Sequence, residues 1–503
     1  MNLSSYLERH AKADPDRVAV RFEGQSVTYG TLNRDASRLA SALRAKGIGA
    51  GDRVAVYLPN IPEFLVAYYA IQRLGAVAVT INAIFKTEEV RHLLDDSGAA
   101  AIFTVTELAR YVPADCAALR LRAAVDGTPA EGWHALADLL ASGSESFALV
   151  EREANDDAAL LYSSGTTGVP KGVVLTQHNI HSNIAICAKC SDYQPGDRLL
   201  LFLPLFHVYG QNYIMNAAIL AGATLVLFRR FVPEVVLKAI GEERVTHLFA
   251  VPTIYIGLLS MDLANYDLSS IRYEMSAAAT MPEEISRRWT DRFGRRVYEG
   301  YGLTECSPFA CYNDLHEHRF GSVGRAVEGF AIKIFDELDR ELPPGETGEI
   351  VIRGDGVMKG YWKRPDESEK ALRGGWLHSG DMGRMDKDGY VYIVDRVKDM
   401  INISGFKVWP AEVEKYLYKM PAVQEVAVYG IPDATSGERV AVAAVPRKGA
   451  ALTSDEVIAY CRENIAAYKV PARVDIVAEL PKSPSGKILK RVLREQYNAS
   501  LGS

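Results

Sequence analysis

Two hydrophobic periods alternate along the first three hundred residues. Glu63–Leu74 carries an apolar helical face, stops at Gly75, and gives way to the unbroken apolar run Ala76–Ile81. A glycine just past a helix is a C-terminal cap, and an unbroken short apolar run is a strand buried on both faces. The same phrase returns at Ile214–Ala221, Gly222 and Ala223–Phe228. Repetition of helix, cap and buried strand predicts parallel α/β layers. Ala158–Tyr162, Thr246–Val251 and Tyr273–Ala277 add further short strands.

The texture changes after about residue 330. Phe330–Phe335 and Gly348–Ile352 are short strands separated by the turn-rich ELPPGETG, which reads as antiparallel β. After Gly389–Val394 comes the charged break Asp395-Arg396-Val397-Lys398-Asp399. Beyond it run a hairpin, a helix (Ala411–Tyr418), two strands, a helix (Ser454–Ala467) and a strand. The expected fold class is therefore α/β. A large domain of layered sheets with a small β-barrel-like region spans residues 1–395, and a small mobile α+β domain spans 396–503.

Composition narrows the function. A chain of 503 residues exceeds one ordinary core, and 48% apolar with 24% charged residues is globular composition. A net charge of -6 argues against a nucleic-acid binder that works by counterion release. Met1–Lys12 has no apolar stretch of leader length. The most apolar region, Leu199–Phe228, is interrupted by His207, Gln211, Asn212 and Asn216, so it predicts buried core rather than a membrane span. Six scattered cysteines suit a reducing cytoplasm. Cys187 and Cys190 form a C-x-x-C with no second pair to complete a zinc site, so they read as one helix face.

Candidate chemistry begins where Ala158–Tyr162 opens into Ser163, Ser164, Gly165, Thr166, Thr167 and Gly168 and ends at Lys171. Successive backbone N–H groups and hydroxyls form an anion-binding concavity, and lysine adds a point charge, which suits a polyphosphate. Gly165 and Gly168 are three apart and Val-Pro precedes Lys171, so the loop is not a Walker loop. In EGYGLTEC (Glu299–Cys306), Gly300 and Gly302 flank Tyr301, which can offer a flat face to a base. Thr304 can bond a phosphate, and Glu305 can hold a hard cation that carries phosphate oxygens. In WLHSGDMG, Asp381 can accept bonds from two vicinal ribose hydroxyls or serve simply as an Asx-turn residue. Arg396 and Lys398 lie at the charged break, and Gly405 marks a place where backbone must be small or closely approached. In LPKSPSGKILKR, Lys487 is displayed on a loop.

These five segments, in this order, resemble the adenylate-forming superfamily of acyl-CoA and aryl-CoA synthetases, nonribosomal peptide adenylation domains and beetle luciferases. The resemblance covers essentially the whole chain and is greatest to bacterial fatty acyl-CoA or aryl-CoA ligases. It implies two half-reactions: ATP and a carboxylic acid give an acyl-adenylate and pyrophosphate, then a thiol displaces AMP. It implies that Ser163–Gly168 and Lys171 grip the β- and γ-phosphates. Tyr301 would stack near adenine beside Glu299 and the Ser276–Thr280 backbone, which includes Ala278. Thr304 would contact the α-phosphate, Glu305 would hold Mg²⁺, and Asp381 with Arg396 would bind ribose. Lys487 resembles the family's catalytic lysine, Lys398 its hinge, and Gly405 a position lining the pantetheine tunnel of coenzyme A, with Lys407 nearby. The acid pocket would be lined by His207, Val208, Gln211, Tyr255, Gly257, Ala277 and Ala279. His207 would sit beside the substrate carboxylate or serve as a structural histidine. No Asp awaits an α-amine, and Gly257 stands where malonate-specific members carry an arginine, so amino acids and malonate are disfavoured. The expected substrate is a medium- or long-chain fatty acid. A benzoate- or cinnamate-type acid, or loading of a separate acyl carrier protein, is the alternative. A monomer or homodimer is expected.

Overall fold

The structure is a computed structural model that describes residues 1–164, 170–313, 315–433, 435–483 and 486–501. Gly165, Thr166, Thr167 and Gly168 of the phosphate loop lie outside the described residues, as does the side chain of Ser164.

Among the described residues the strands form four sheets. One is eight-stranded, and its centre is parallel: Asp157–Ser164, Val77–Thr80, Arg53–Tyr57 and Ala101–Thr104 lie side by side. Val77–Thr80 is buried at every position, which is why it reads as an unbroken apolar run. The helix before it, Pro62–Leu74, ends at Gly75 with φ 74°, a left-handed cap that releases the chain straight into the strand. A second, nine-stranded sheet runs Thr224–Leu227, Arg198–Leu201, His247–Ala250, Tyr273–Ser276 and Tyr298–Gly302 in parallel through its middle. The next sheet is antiparallel, as its turn-rich sequence predicts. It is an open path of Phe330–Phe335, Thr347–Gly354, Leu377–Met385 and Val391–Arg396.

The last sheet belongs to the smaller C-terminal α+β region. Hairpin Ile401–Ile403/Phe406–Val408 and the long pair Val423–Asp433/Gly437–Pro446 are joined by Arg473–Ile476. Helices Pro410–Leu417 and Ser454–Asn464 pack with it. The helix Lys490–Leu501 is not anticipated by the sequence reading.

One element differs in kind. The segment expected as an ordinary helix from Ile214 is a π-helix over Tyr209–Asn216, followed by a short α-helix Ala217–Ala221. Its polar residues are buried and hold one another. Asn216 donates to Asn212 (2.9 Å) and to Tyr68 (2.9 Å), and Asn212 donates to the Ser307 carbonyl (3.4 Å). Polar residues inside an apolar stretch thus mark a widened helical turn in the core, and π-turns concentrate at functional sites. Cys187 is buried on helix Gln177–Cys190, and none of the six cysteines forms a disulfide.

Candidate active site

Several of the sequence-predicted residues follow the carboxyl ends of parallel strands, where α/β sheets bind ligands. His207 follows Arg198–Leu201, Ala277–Ala279 follow Tyr273–Ser276, and Thr304 and Glu305 open a short 3-10 turn just after Tyr298–Gly302. Ala278 has φ 69°, a left-handed conformation that costs a non-glycine residue energy. The two glycines around Tyr301 are set by crowding. A Cβ on Gly300 would lie 2.0 Å from Met275 Cε, and one on Gly302 would lie 1.6 Å from the Pro308 carbonyl oxygen.

Asp381 sits within the strand Leu377–Met385 rather than in a free turn. It pairs in register with Arg396 of the neighbouring strand. Its carboxylate meets the Arg396 guanidinium at 3.2 Å and accepts a hydrogen bond from the Tyr301 hydroxyl at 2.8 Å. Tyr301 is thereby oriented by its polar tip, and its ring is buried.

Lys487 is brought to the same place. Its loop docks on the larger region through the Thr253 hydroxyl, which donates to the Gly486 carbonyl at 3.0 Å. Far from being displayed in solvent, Lys487 is only partly exposed. Burial, with the Arg396 charge next in importance, pushes its ammonium down to about 8, while Asp381 acts in the opposite sense. His207 is a neighbour of Lys487. Burial, reinforced by that lysine, pushes the imidazole down to about 4, so it is neutral at pH 7. Its Nδ1 accepts from the Tyr209 backbone N–H at 3.2 Å, which places the ring proton on Nε2 and leaves that nitrogen as a donor.

On the phosphate side, Ser163 and Lys171 face each other across paired strands. Glu305 is partly exposed, and desolvation of its carboxyl raises its pKa. It accepts from the Tyr361 hydroxyl at 3.0 Å and from the Ser163 hydroxyl at 3.5 Å. Lys171 lies over the Tyr361 ring and is ion-paired with Glu367. Tyr361 and Glu367 went unread in the sequence. The run Gly360-Tyr361-Trp362-Lys363-Arg364, aromatic beside basic, is the signal that marks them. Among the described residues no group of three or more His, Cys, Asp or Glu could hold a metal ion. Glu305 with two hydroxyls nearby offers hard oxygen donors for a cation that arrives already bound to phosphate.

The residues expected to line the acid pocket divide. Gly257 has open space where a Cβ would stand. Ala277 and Ala279 are partly exposed at the strand end, and Val208 is buried beside His207. Tyr255 belongs to the core instead: it is fully buried, donates to the Met275 carbonyl at 3.0 Å and meets Trp289 edge-on. Gln211 is fully buried and donates to the Leu205 carbonyl at 3.1 Å, yet its Oε1 has no partner among the described residues. The same holds for the hydroxyl of Tyr209, which is 4% exposed, for Ser276 Oγ and for Glu299 Oε1. Ser276 and Glu299 are register neighbours, and burial raises the Glu299 carboxyl well above the usual range.

At the junction, Lys398 lies in a short 3-10 turn, its pKa lowered by burial and by Arg396. Gly405 has φ 90°, and a Cβ there would meet nothing within 4 Å. Glycine is required here by its backbone angle and not, in this arrangement, by close approach. Lys407 reaches Glu337 at 3.1 Å, and Lys415 reaches Glu283 at 3.2 Å, so ion pairs join the smaller region to the larger.

The chain as a whole is similar to known proteins. The profile of the family described as AMP-binding enzyme matches residues 7–362, and that of the AMP-binding enzyme C-terminal domain matches residues 412–487. The chain is 36% identical to a long-chain-fatty-acid–CoA ligase of Bacillus subtilis, across 98% of this chain and 94% of that protein. It is 38% identical to a feruloyl-CoA synthase of Amycolatopsis, across 98% of this chain and 99% of that protein. The crystal structure of the anthranilate CoA ligase AuaEII in complex with anthranoyl-AMP superimposes with a TM-score of 0.94 at 27% identity, covering 100% of this chain and 98% of that one. By these matches the chain belongs to the AMP-binding enzyme family and is an AMP-forming acid–thiol ligase.

Proposed function

We propose that this ligase activates an aromatic carboxylic acid bearing a polar ring substituent, through its acyl-adenylate, and transfers the acyl group to coenzyme A. The choice of acid is supported by the likeness to a feruloyl-CoA synthase and an anthranilate CoA ligase and, on the π-helix, by the unpartnered buried polar atoms Tyr209 Oη and Gln211 Oε1. A buried polar atom without a hydrogen bond costs roughly 1–3 kcal/mol, a cost that a ligand group able to bond it removes. A hydrocarbon tail cannot do so, whereas a ring hydroxyl or amino group can. This revises the expectation of a fatty acid. The similarity to long-chain ligases and the open space at Gly257 favour a fatty acid as the second reading.

In this reading Asp381 and Arg396 hold the ribose. Lys171 and Ser163 hold the β- and γ-phosphates, and Thr304 meets the α-phosphate. Glu305 would hold the Mg²⁺ that accompanies ATP, and that ion would neutralise phosphate charge. The neutral imidazole of His207 presents Nε2–H to the substrate carboxylate and orients it. The Lys487 ammonium bridges that carboxylate and the α-phosphate while negative charge gathers between them, a stabilisation that strengthens in the transition state. The junction at residues 395–396, with Lys398 as the hinge, lets the smaller region turn for thiol attack.

The test is pyrophosphate release with hydroxylated and aminated benzoates and cinnamates against fatty acids of eight to sixteen carbons, followed by mass analysis of the thioester formed with CoA. The expected outcome is a kcat/KM at least about tenfold higher for a substituted aryl acid, the step that one added hydrogen bond supplies. Preference for a fatty acid would refute the choice of substrate, and release with no acid would refute the enzyme reading.

A further inference from the structure

Lys171 does not stand free at the phosphate site. Its ammonium is ion-paired with Glu367, from the first turn of helix Pro365–Ala371, although the two are 196 positions apart in sequence. Both side chains are largely shielded, at 14% and 34% exposure. Glu367 is itself anchored. Arg364 lies 3.8 Å from Glu367 and 3.3 Å from Asp96, and Asp96 accepts from the Tyr162 hydroxyl at 2.7 Å. Trp362 and Lys363 donate to the Asp96 backbone carbonyl at 2.9 and 2.7 Å. The helix start is further fixed where the Tyr361 N–H donates to the Ser368 hydroxyl at 2.8 Å. A carboxylate is thus held against the lysine assigned to the polyphosphate by Arg364, Asp96 and Tyr162, none of which is assigned to the ribose or the acid.

Two anions cannot both occupy one ammonium at full strength. We propose that Glu367 is a built-in competitor for polyphosphate: it pairs with Lys171, yields it to the β- and γ-phosphates of ATP, and reclaims it as pyrophosphate leaves. This rests on the reading of Lys171 as a phosphate-binding residue. The pair is half-buried, so its Coulomb energy is modest and its removal changes affinity severalfold rather than by orders of magnitude. The competition acts only on ligands that carry the outer phosphates, which separates it from a merely structural role.

The experiment measures equilibrium binding of Mg·ATP, of inorganic pyrophosphate and of AMP to the full-length protein and to Glu367→Gln. The expected result is ATP and pyrophosphate binding tightened by about threefold to tenfold, with AMP unchanged. Slower pyrophosphate release should follow, visible as stronger product inhibition. In a Lys171→Ala background, Glu367→Gln should have no further effect, because the contested charge is gone. Unchanged ATP and pyrophosphate binding, an equal shift in AMP binding, or the same gain without Lys171 would each overturn the proposal alone. A wild-type protein that binds neither ATP nor pyrophosphate would overturn the reading of the site as well.

Discussion

Replacing Lys487 tests the core of the mechanism. In the proposed mechanism the lysine ammonium is the charge that follows the reaction from carboxylate and ATP to adenylate. Removing such a donor costs about 10²–10³ in rate. Lys487→Ala should therefore lose adenylation by that factor or more, while a synthetic acyl-adenylate is still converted to thioester at close to the wild-type rate. The structure adds a pH signature. An ordinary lysine at 10.5 stays almost wholly charged at pH 9, but Lys487 is pushed down to about 8 by burial and by Arg396. The active form is the protonated one, so activity is present below the pKa and lost above it. At pH 9 only about one enzyme in ten retains the charge. Because kcat/KM reports the free enzyme, kcat/KM for ATP in pyrophosphate release should fall about tenfold per pH unit above about pH 8. His207, pushed down to about 4, should contribute no limb near pH 6. A profile flat to pH 10, or equal loss of both half-reactions in Lys487→Ala, would refute the assigned role.

Two further outcomes follow from named residues. Tyr209→Phe removes the unpartnered buried hydroxyl, so kcat/KM for the favoured substituted acid should fall about tenfold or more while the unsubstituted parent acid is little affected; a uniform loss across acids would point to a packing defect. Lys398→Pro should leave pyrophosphate release intact and slow thioester formation, because the pyrrolidine ring fixes φ at the junction; stopped-flow measurement of each half-reaction separates the two.

The candidate nucleotide-binding residues stand out in the sequence because the chemistry proposed for them needs particular residue types at short, fixed spacings. Tyr301 beside close-packed glycines, Glu305 after Thr304, and the lysine after Ser-Thr-Gly all lie within single segments. Parallel layers were legible because a strand buried on both faces is apolar nearly throughout, as Val77–Thr80 is but for Thr80, whose hydroxyl is satisfied by the Phe206 carbonyl. The acid pocket was less so. Helical spacing alone does not tell which neighbours on Pro252–Leu259 face the core, and the fold gave Tyr255 to Trp289 and left Gly257 open.

By itself the sequence determined most of the order of elements, though not the last helix or the π-helix, the change from parallel to antiparallel texture near residue 330, and the groups proposed for catalysis. Only the tertiary structure decided the electrostatic state of those groups. Lys487 reads as an exposed loop residue until docking on Thr253 brings it against Arg396 and Asp381 and burial lowers its proton affinity. Lys171 reads as a free phosphate-binding cation until Glu367, distant along the chain, is placed beside it. Charge state and competition depend on distance and desolvation in three dimensions, and a linear pattern carries neither.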